Sequence, residues 1–566
     1  MTNEKNQKRI LKILYFAISV SVILLGLLIV FDDRLGVVGE PFIDHLMVMN
    51  IAISRQLYGV EGYAGLEQIL TALKQIPNVS TIDLVTIDDY TKYLSEINAA
   101  LFKTSYLKII NFDHLHGYIN EQAYVYFVVL SFQLFGIKTQ SISLFWFLIF
   151  GFSSFIFLVS YRNKISQLIL LWCLVNSIIF IVICNPAVGA QLLSIYNYRF
   201  IPILGIIPFF HMLLASRQTK ITFSQWFLIF LQTAPLLFVF LARGSSLWML
   251  IALFISSTII LCIYLWRFRG WSLSKRIFSY RIFKVIFVYF RIPLLVSLLF
   301  FLVKYVPHQE LHKEYSKEIW TQTHVLWHPL FIGVVSDPKL RSDFVCSKTS
   351  LSDKLKGFYH IPECDSEISF YKRFVQGIRN EPADMNGFHA AVKYLKENGS
   401  TDQIGTDIVK EGHFNIKWQF YDTTLRNVYF DLLRKRPIDV GYMYLFIKPI
   451  RFFMNVLSYV QFFIKSIYQS PNILFIILTV FSLHLFILVK LFHLSILLER
   501  KVESELRIFA KMILLSFIVS MIPSILFYSQ RHTVADSATV LVALCIFLSI
   551  FLIKKSLKKR IPIGTY

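Results

Sequence analysis

Charged residues are scarce. Asp, Glu, Lys and Arg make up 16% of the 566 residues, against roughly 25% in a soluble globular domain. With 55% of the chain hydrophobic, that shortage excludes an ordinary water-soluble domain and points to a polytopic membrane protein. Acids are scarcer than bases, 35 against 57, which gives a formal net charge of +22. The excess Lys and Arg lie beside apolar runs, where they act as topology signals, so a nucleic-acid partner is excluded. Cysteine is sparse too: six in a chain of this length make no disulfide framework. Cys173, Cys184, Cys262 and Cys545 fall inside apolar segments as small hydrophobes, and only Cys346 and Cys364, in the one long polar stretch, are placed to pair. No P-loop is present, and no GxGxxG follows a strand. His324 and His328 have the i, i+4 spacing of a zinc pair but no acid between them, and Pro329 follows directly, so a zinc site is the minority reading. Gly59, Gly62 and Gly65 read as flexible turns.

Aromatic residues and long apolar runs are abundant. Phe alone contributes 54 residues and Tyr 28, a surface that a bilayer, its interface belts and an apolar cavity absorb more easily than a soluble core. Lys5, Lys8, Arg9 and Lys12 precede an apolar run from Ile13 to Phe31, close to the ~20 residues a spanning helix needs. A signal peptide would have a shorter core and small residues at its exit. Here the exit is Asp32-Asp33-Arg34, so the run reads as a retained helix with a cytoplasmic N-terminus. Further spans are expected at about 142–160, 165–184, 199–216, 224–242, 246–266, 284–304, 472–495, 508–528 and 534–554, ten in all.

Tyr124 to Phe135 is apolar but short for a crossing. The positive-inside rule decides the case. If this segment does not cross, Arg162 and Lys164, Arg217 and Lys220, the basic run from Arg267 to Lys284, Arg500, Lys501 and Arg507, and the tail from Lys554 to Arg560 all fall on the N-terminal, cytoplasmic side. The segment therefore reads as a juxtamembrane or re-entrant helix. The outer segments are a first loop 32–141, a short loop 185–198, Arg243-Gly244-Ser245-Ser246, a polar module 305–471 and a last turn around Arg531-His532. The expected organisation is a transmembrane domain 1–304, an extracytoplasmic module 305–471, and C-terminal hairpins with a basic cytoplasmic tail at 472–566. The module's end, Phe430 to Ser466, with Arg434, Lys435, Arg436, Lys448 and Arg451 among Tyr, Phe and Leu, reads as helix lying in the membrane interface.

Chemistry is concentrated in the outer segments. Asp32, Asp33, Glu40 and Asp44 follow the first span closely. An ionised carboxylate near the membrane surface is either solvated or held at a site. Asp44 heads the amphipathic stretch Asp44-His45-Leu46-Met47-Val48-Met49, where a helix N-cap is the competing meaning. Asp32 and Asp33 read as an interfacial stop.

The order of these features resembles the GT-C superfamily of membrane glycosyltransferases, the type that includes protein O-mannosyltransferases and the aminoarabinose transferase of lipid A. In that family a first span is followed by a long outer loop whose acidic residue opens a juxtamembrane helix, the place of Ile43-Asp44-His45-Leu46 here. A second juxtamembrane helix ending in a Leu-Phe-Gly-like turn is similar to Tyr118 through Leu134-Phe135-Gly136, and the following span begins with small residues, as at Ser141-Ile142-Ser143. The chain departs from the pattern in having Asp44-His45 for an Asp-Glu pair, His114-Leu115-His116-Gly117 for a His-Pro-Pro-Leu, and no acid in the loop 185–198.

The resemblance implies a polyprenyl-phosphate-linked sugar donor, a lipid, glycan or protein acceptor, and an inverting displacement with a carboxylate as base: Asp44 first, with Glu40 and Asp113 as alternatives. His45, His114 and His116 share that loop as substrate-binding candidates. For the donor phosphate, Arg531 and His532 sit where relatives place a basic residue, and Arg199 and Arg243 are further candidates, with interfacial anchoring as the competing meaning. His328, in the aromatic stretch His324 to Gly333, either lines an acceptor surface or packs the module against the membrane domain. The cofactor is left open, a divalent cation included. A transporter or flippase of lipid-linked saccharides, or a polymerase or ligase using them, is the alternative reading. The expected location is a bacterial inner or plasma membrane.

Overall fold

The computed structural model describes residues 2–31, 122–136, 139–184, 198–267, 280–305, 326–345, 369–379, 385–399, 418–469, 500–527 and 534–560. Among these residues the secondary structure is helical, with no strand. The membrane part contains α1 (Thr2–Phe31), α2 (Gln122–Phe135), α3 (Thr139–Ser160), α4 (Ile165–Cys184), α5 (Ile206–Ala215), α6 (Phe223–Ala242), α7 (Trp248–Arg267) and α8 (Tyr280–Tyr305). A second helical unit follows: α9 (Trp327–Val334), α10 (Pro338–Phe344), α11 (Phe370–Arg379), α12 (Met385–Glu397), α13 (Trp418–Lys435) and α14 (Pro437–Tyr442). A π-turn at Met443–Ile447 leads into α15 (Lys448–Gln469), and α16 (Arg500–Leu526) and α17 (Ala535–Arg560) complete the described chain.

Seven helices among the described residues are long and apolar enough to cross a membrane: Gln7–Leu27, Ser141–Ser160, Ile165–Val182, Phe223–Ala242, Gly244–Trp266, Lys284–Lys304 and Val502–Leu526. Each coincides with a run expected from the sequence. The expected span 472–495 lies outside the described residues. The run expected at 199–216 is a broken element: a 3-10 helix over Tyr198–Gly205 containing Pro202, then the ten-residue α5. Pro202 has no N–H to donate, so one hydrogen bond is lost inside this segment. All of α5 is buried, so it fills the bundle rather than facing lipid.

Helix α4 is the axis of the bundle. Its residues from Leu168 to Leu174 are almost completely buried, and it packs against α1, α15, α16 and α17. Two buried amide nitrogens are paired, one within its helix and one across helices: Asn176 donates to the Trp172 carbonyl at 2.7 Å, and Gln232 of α6 to the Ser153 carbonyl of α3 at 3.1 Å. An unpaired amide there would cost ~1–3 kcal/mol.

At one end of the bundle the Tyr15 hydroxyl donates to the Arg162 carbonyl and the Ser166 hydroxyl donates to the Glu505 carboxylate. Arg291 there donates to the Gln218 carbonyl and lies over Trp226, 5.6 Å from the ring centroid. The basic connectors around Arg162 and Arg217 are thus gathered at the end where α1 enters. At the other end lie the last residues of α6 and α16, the first residues of α7 and α17, and the second helical unit.

That unit has its own apolar core, built on Phe331, Ile332, Leu340, Leu425, Leu432 and Met443. The segment 430–466, expected as interfacial helix, is helical except for the break at Arg436. Its last part does more than lie on a surface: Phe452, Val456 and Tyr459 of α15 belong to the core of the membrane bundle. Helix α15 is therefore the strut shared by both units.

Candidate functional site

The residues singled out in the sequence fall into two groups. Glu40, Asp44, His45, Asp113, His114 and His116, together with Arg531 and His532, lie outside the described residues, as do Cys346 and Cys364. Arg199, Arg243 and His328 are described, and they occupy three different settings. Arg199 lies in the first turn of the 3-10 helix that precedes α5. Arg243 terminates α6 with an extended backbone (φ −151°, ψ 105°) that lets the chain turn into α7. His328 is buried in the second unit, where its Nδ1 and the Tyr421 hydroxyl share a hydrogen bond at 2.6 Å. Gly387 leaves the space that pair needs, because a Cβ there would press on both the Tyr421 oxygen and the His328 ring. Beside them, burial pushes the Asp422 carboxyl above its usual range, opposed by an N–H from Trp327 and by the charges of His328 and Arg426. The His328 ring is buried within this unit.

Arg243 belongs to a polar cluster at the end of the bundle. It acts electrostatically on Asp536, the acid in the first turn of α17. Asp536 is buried, accepts a hydrogen bond from the Trp248 indole N–H at 2.6 Å, and accepts the Ser537 backbone N–H at 2.8 Å. Ser537 in turn donates to the Ser520 carbonyl of α16 at 2.9 Å. An acid at a helix N-terminus is favoured by the helix dipole, and here it also joins the starts of α7 and α17. The signal was present in the sequence as a lone acid opening the last apolar run, four residues after His532.

The second unit docks on the neighbouring helix end. Lys448 donates to the Leu526 carbonyl at 3.0 Å and to the Phe527 carbonyl at 2.7 Å, the free carbonyls at the close of α16. Its ammonium also lies 4.2 Å from the centroid of the Tyr444 ring. The Tyr444 hydroxyl reaches the Leu526 carbonyl at 3.3 Å and pairs with the Tyr429 hydroxyl at 2.8 Å. Glycine at 333 permits this approach, since a Cβ there would overlap the Phe527 carbonyl oxygen. One turn along α15, Arg451 donates to the Ser336 hydroxyl at 3.0 Å. Burial, with the Arg451 charge adding to it, holds the Lys448 ammonium well below the usual lysine range. Arg531 and His532 lie in sequence between this dock, which ends at Phe527, and the Asp536 cluster.

A third cluster locks the second unit. Asp337 caps α10, accepting the Lys339 N–H at 2.9 Å ahead of Pro338 in the first turn. Arg373 of α11 donates from Nε to the Asp337 Oδ2 at 2.7 Å, from a terminal nitrogen to the same carboxylate, and from Nη1 to the Asp439 Oδ1 at 2.7 Å. Its guanidinium lies 4.8 Å from the Tyr442 ring centroid. Among the described residues no group of three or more His, Cys, Asp or Glu side chains is arranged to hold a metal ion.

Comparison of the chain with protein-family models, with curated proteins and with solved structures finds no match.

Proposed function

We propose that the chain is an integral-membrane glycosyltransferase of GT-C type, with ten spans and cytoplasmic termini in a bacterial inner or plasma membrane. It moves a sugar from a polyprenyl-phosphate donor to an acceptor on the extracytoplasmic face. The acceptor hydroxyl oxygen attacks the anomeric carbon while Asp44 takes its proton. The bond from that carbon to the phosphate oxygen breaks, and polyprenyl phosphate leaves with Arg531 stabilising its charge.

The observation that carries the reading is α2. At 14 residues it is about 21 Å long, short of the ~30 Å hydrocarbon core. It stops at Gly136, which takes the left-handed φ of 85° and returns its N–H to the Phe132 carbonyl at 2.9 Å. The chain then reverses into α3, and the Phe127 ring meets Phe145 of α3 at a tilt, 4.9 Å between centroids, and stacks on Phe238 of α6 at 5.4 Å. A short helix, a Leu-Phe-Gly turn and a span opening with small residues is the pattern on which the resemblance rests. The contact of Tyr15 of α1 with the connector at Arg162 supports the side assignment, because it brings α1 to a basic connector, and basic connectors belong in the cytoplasm.

The reading is tested in proteoliposomes loaded with radiolabelled polyprenyl-phosphate hexose. Release of polyprenyl phosphate that depends on an added acceptor is the expected result. Movement of intact donor between leaflets without its cleavage would instead identify a flippase. The topology has its own check. Single cysteines at Lys275, Ser352 and Lys396 should be reached by an impermeant maleimide from inside, outside and outside respectively, and Lys275 labelled from outside would overturn the arrangement.

A further inference from the structure

The second helical unit carries an open hollow of about 450 Å³ where the ends of α10, α12 and α13 meet, within the ~300–1,000 Å³ of small-molecule sites. Its lining is unlike the rest of the chain. The protein as a whole is strongly basic at +22, yet here Asp343, Glu397 and Asp431 balance Lys393, Lys435 and Arg436. Five of these six charges are tied to one another or to the backbone: Arg436 pairs with Asp343 at 2.9 Å, Lys435 with Asp431 at 3.7 Å, and the Lys393 ammonium donates to the Asp343 carbonyl at 2.8 Å. Between the charged groups the lining is apolar, with the rings of Phe344 and Tyr394 and the side chains of Ala390 and Val428.

This combination selects the ligand by chemistry. An anion or a cation gains no net attraction from a balanced set of three charges of each sign. A hydroxyl both donates and accepts, so one polyol can serve carboxylates and ammonium groups at once without disturbing their balance. The C–H face of a sugar ring is apolar and suits an aromatic face flanked by polar groups. We propose that this hollow binds a neutral oligosaccharide and that, on the glycosyltransferase reading, it recognises a glycan acceptor away from the bond-forming centre.

The test uses full-length protein in detergent with no donor present. Maltotriose, cellotriose, chitotriose and mannotriose are titrated in turn, with binding followed by saturation-transfer NMR and calorimetry. At least one is expected to bind with a millimolar or tighter Kd. Tyr394→Ala should weaken it tenfold or more and Glu397→Ala several-fold. Tyr371→Ala, which removes an exposed ring elsewhere in the same unit, should leave it unchanged. Glu397 is exposed at the end of α12, so its loss remains readable if Tyr394→Ala fails to fold. The proposal is overturned if none of the four sugars binds, if binding survives the Tyr394 and Glu397 changes, or if inorganic phosphate proves to be the ligand these changes abolish. Sugar binding without donor cleavage would keep this site and remove the transferase reading. Donor cleavage without sugar binding would do the reverse.

Discussion

Arg373→Met is expected to destabilise the second helical unit by about 3–5 kcal/mol, a loss at the upper end of what one substitution causes. The Asp337 side chain is 1% exposed and Asp439 is 12% exposed, so removing the guanidinium strands two carboxylates with little water to replace it. Asp337 keeps its cap on the Lys339 N–H, and Asp439 keeps the Lys339 ammonium at 3.2 Å. Lys339 is itself half-exposed, and that contact is correspondingly weak. Hydrogen exchange on the full-length protein should show α11 and α14 losing protection first. The triple change Asp337→Asn, Arg373→Met, Asp439→Asn should recover much of the loss, because no buried charge is then left alone.

Acid should act on the same cluster. Burial alone would raise the Asp439 carboxyl, but hydrogen bonds and charge from Arg373 and Lys339 overcome it and hold the group below its ordinary value. A carboxyl depressed in the folded state contributes stability that is complete above its unfolded pKa, about 3.9. That stability is lost as the pH falls through the folded value. The wild-type unit should therefore keep its exchange protection at pH 5 and lose it progressively below about pH 4. In Arg373→Met the Asp439 contribution to this acid-sensitive step should shrink, because the main cause of the depression has gone.

What could be read from the chain was whatever is local. A run such as Ile165 to Val182 announces a candidate span by its length and composition alone. Asp337-Pro338 is a local signal as well, an N-cap followed by proline at the first helical position. The partners of that acid were not legible. Arg373 and Asp439 are supplied by two other helices, and no periodicity links three charges set apart by loops. Lys448 and Arg451 read as interfacial bases because their sequence neighbours are Tyr and Phe, and the structure buries both. Their bonds to Phe527 and Ser336 depend on how α15 meets α16 and α9, a tertiary fact. At 199–216 apolar length suggested one helix, while Pro202, Gly205 and Pro208 carried the competing signal for a break.

Asp44→Asn is expected to lower sugar transfer by about 10²–10⁴-fold, the contribution a positioned general base makes. Asparagine keeps the size of aspartate and ranks with it as a helix cap, so a purely structural Asp44 predicts normal expression and near-normal transfer. Asp33→Asn removes a similar charge a few residues nearer the first span and should leave the rate unchanged if Asp33 is an interfacial stop. Turnover is followed as acceptor-dependent release of polyprenyl phosphate at saturating donor, so that a change in donor affinity does not pass for a change in chemistry. The donor half separates on the other parameter. Arg531→Lys keeps the charge but loses the planar fork that grips a phosphate at two oxygens, and should raise the donor KM well beyond any change in expression. A snorkelling anchor would tolerate lysine. Unchanged donor affinity in Arg531→Lys would thus move the phosphate site to other bases at this end of the bundle, with Arg243 first because it already faces the buried Asp536. Full activity of Asp44→Asn would pass the base to Glu40 or Asp113, and full activity with all three neutralised would leave none of the proposed bases to take the proton and would overturn the proposed mechanism.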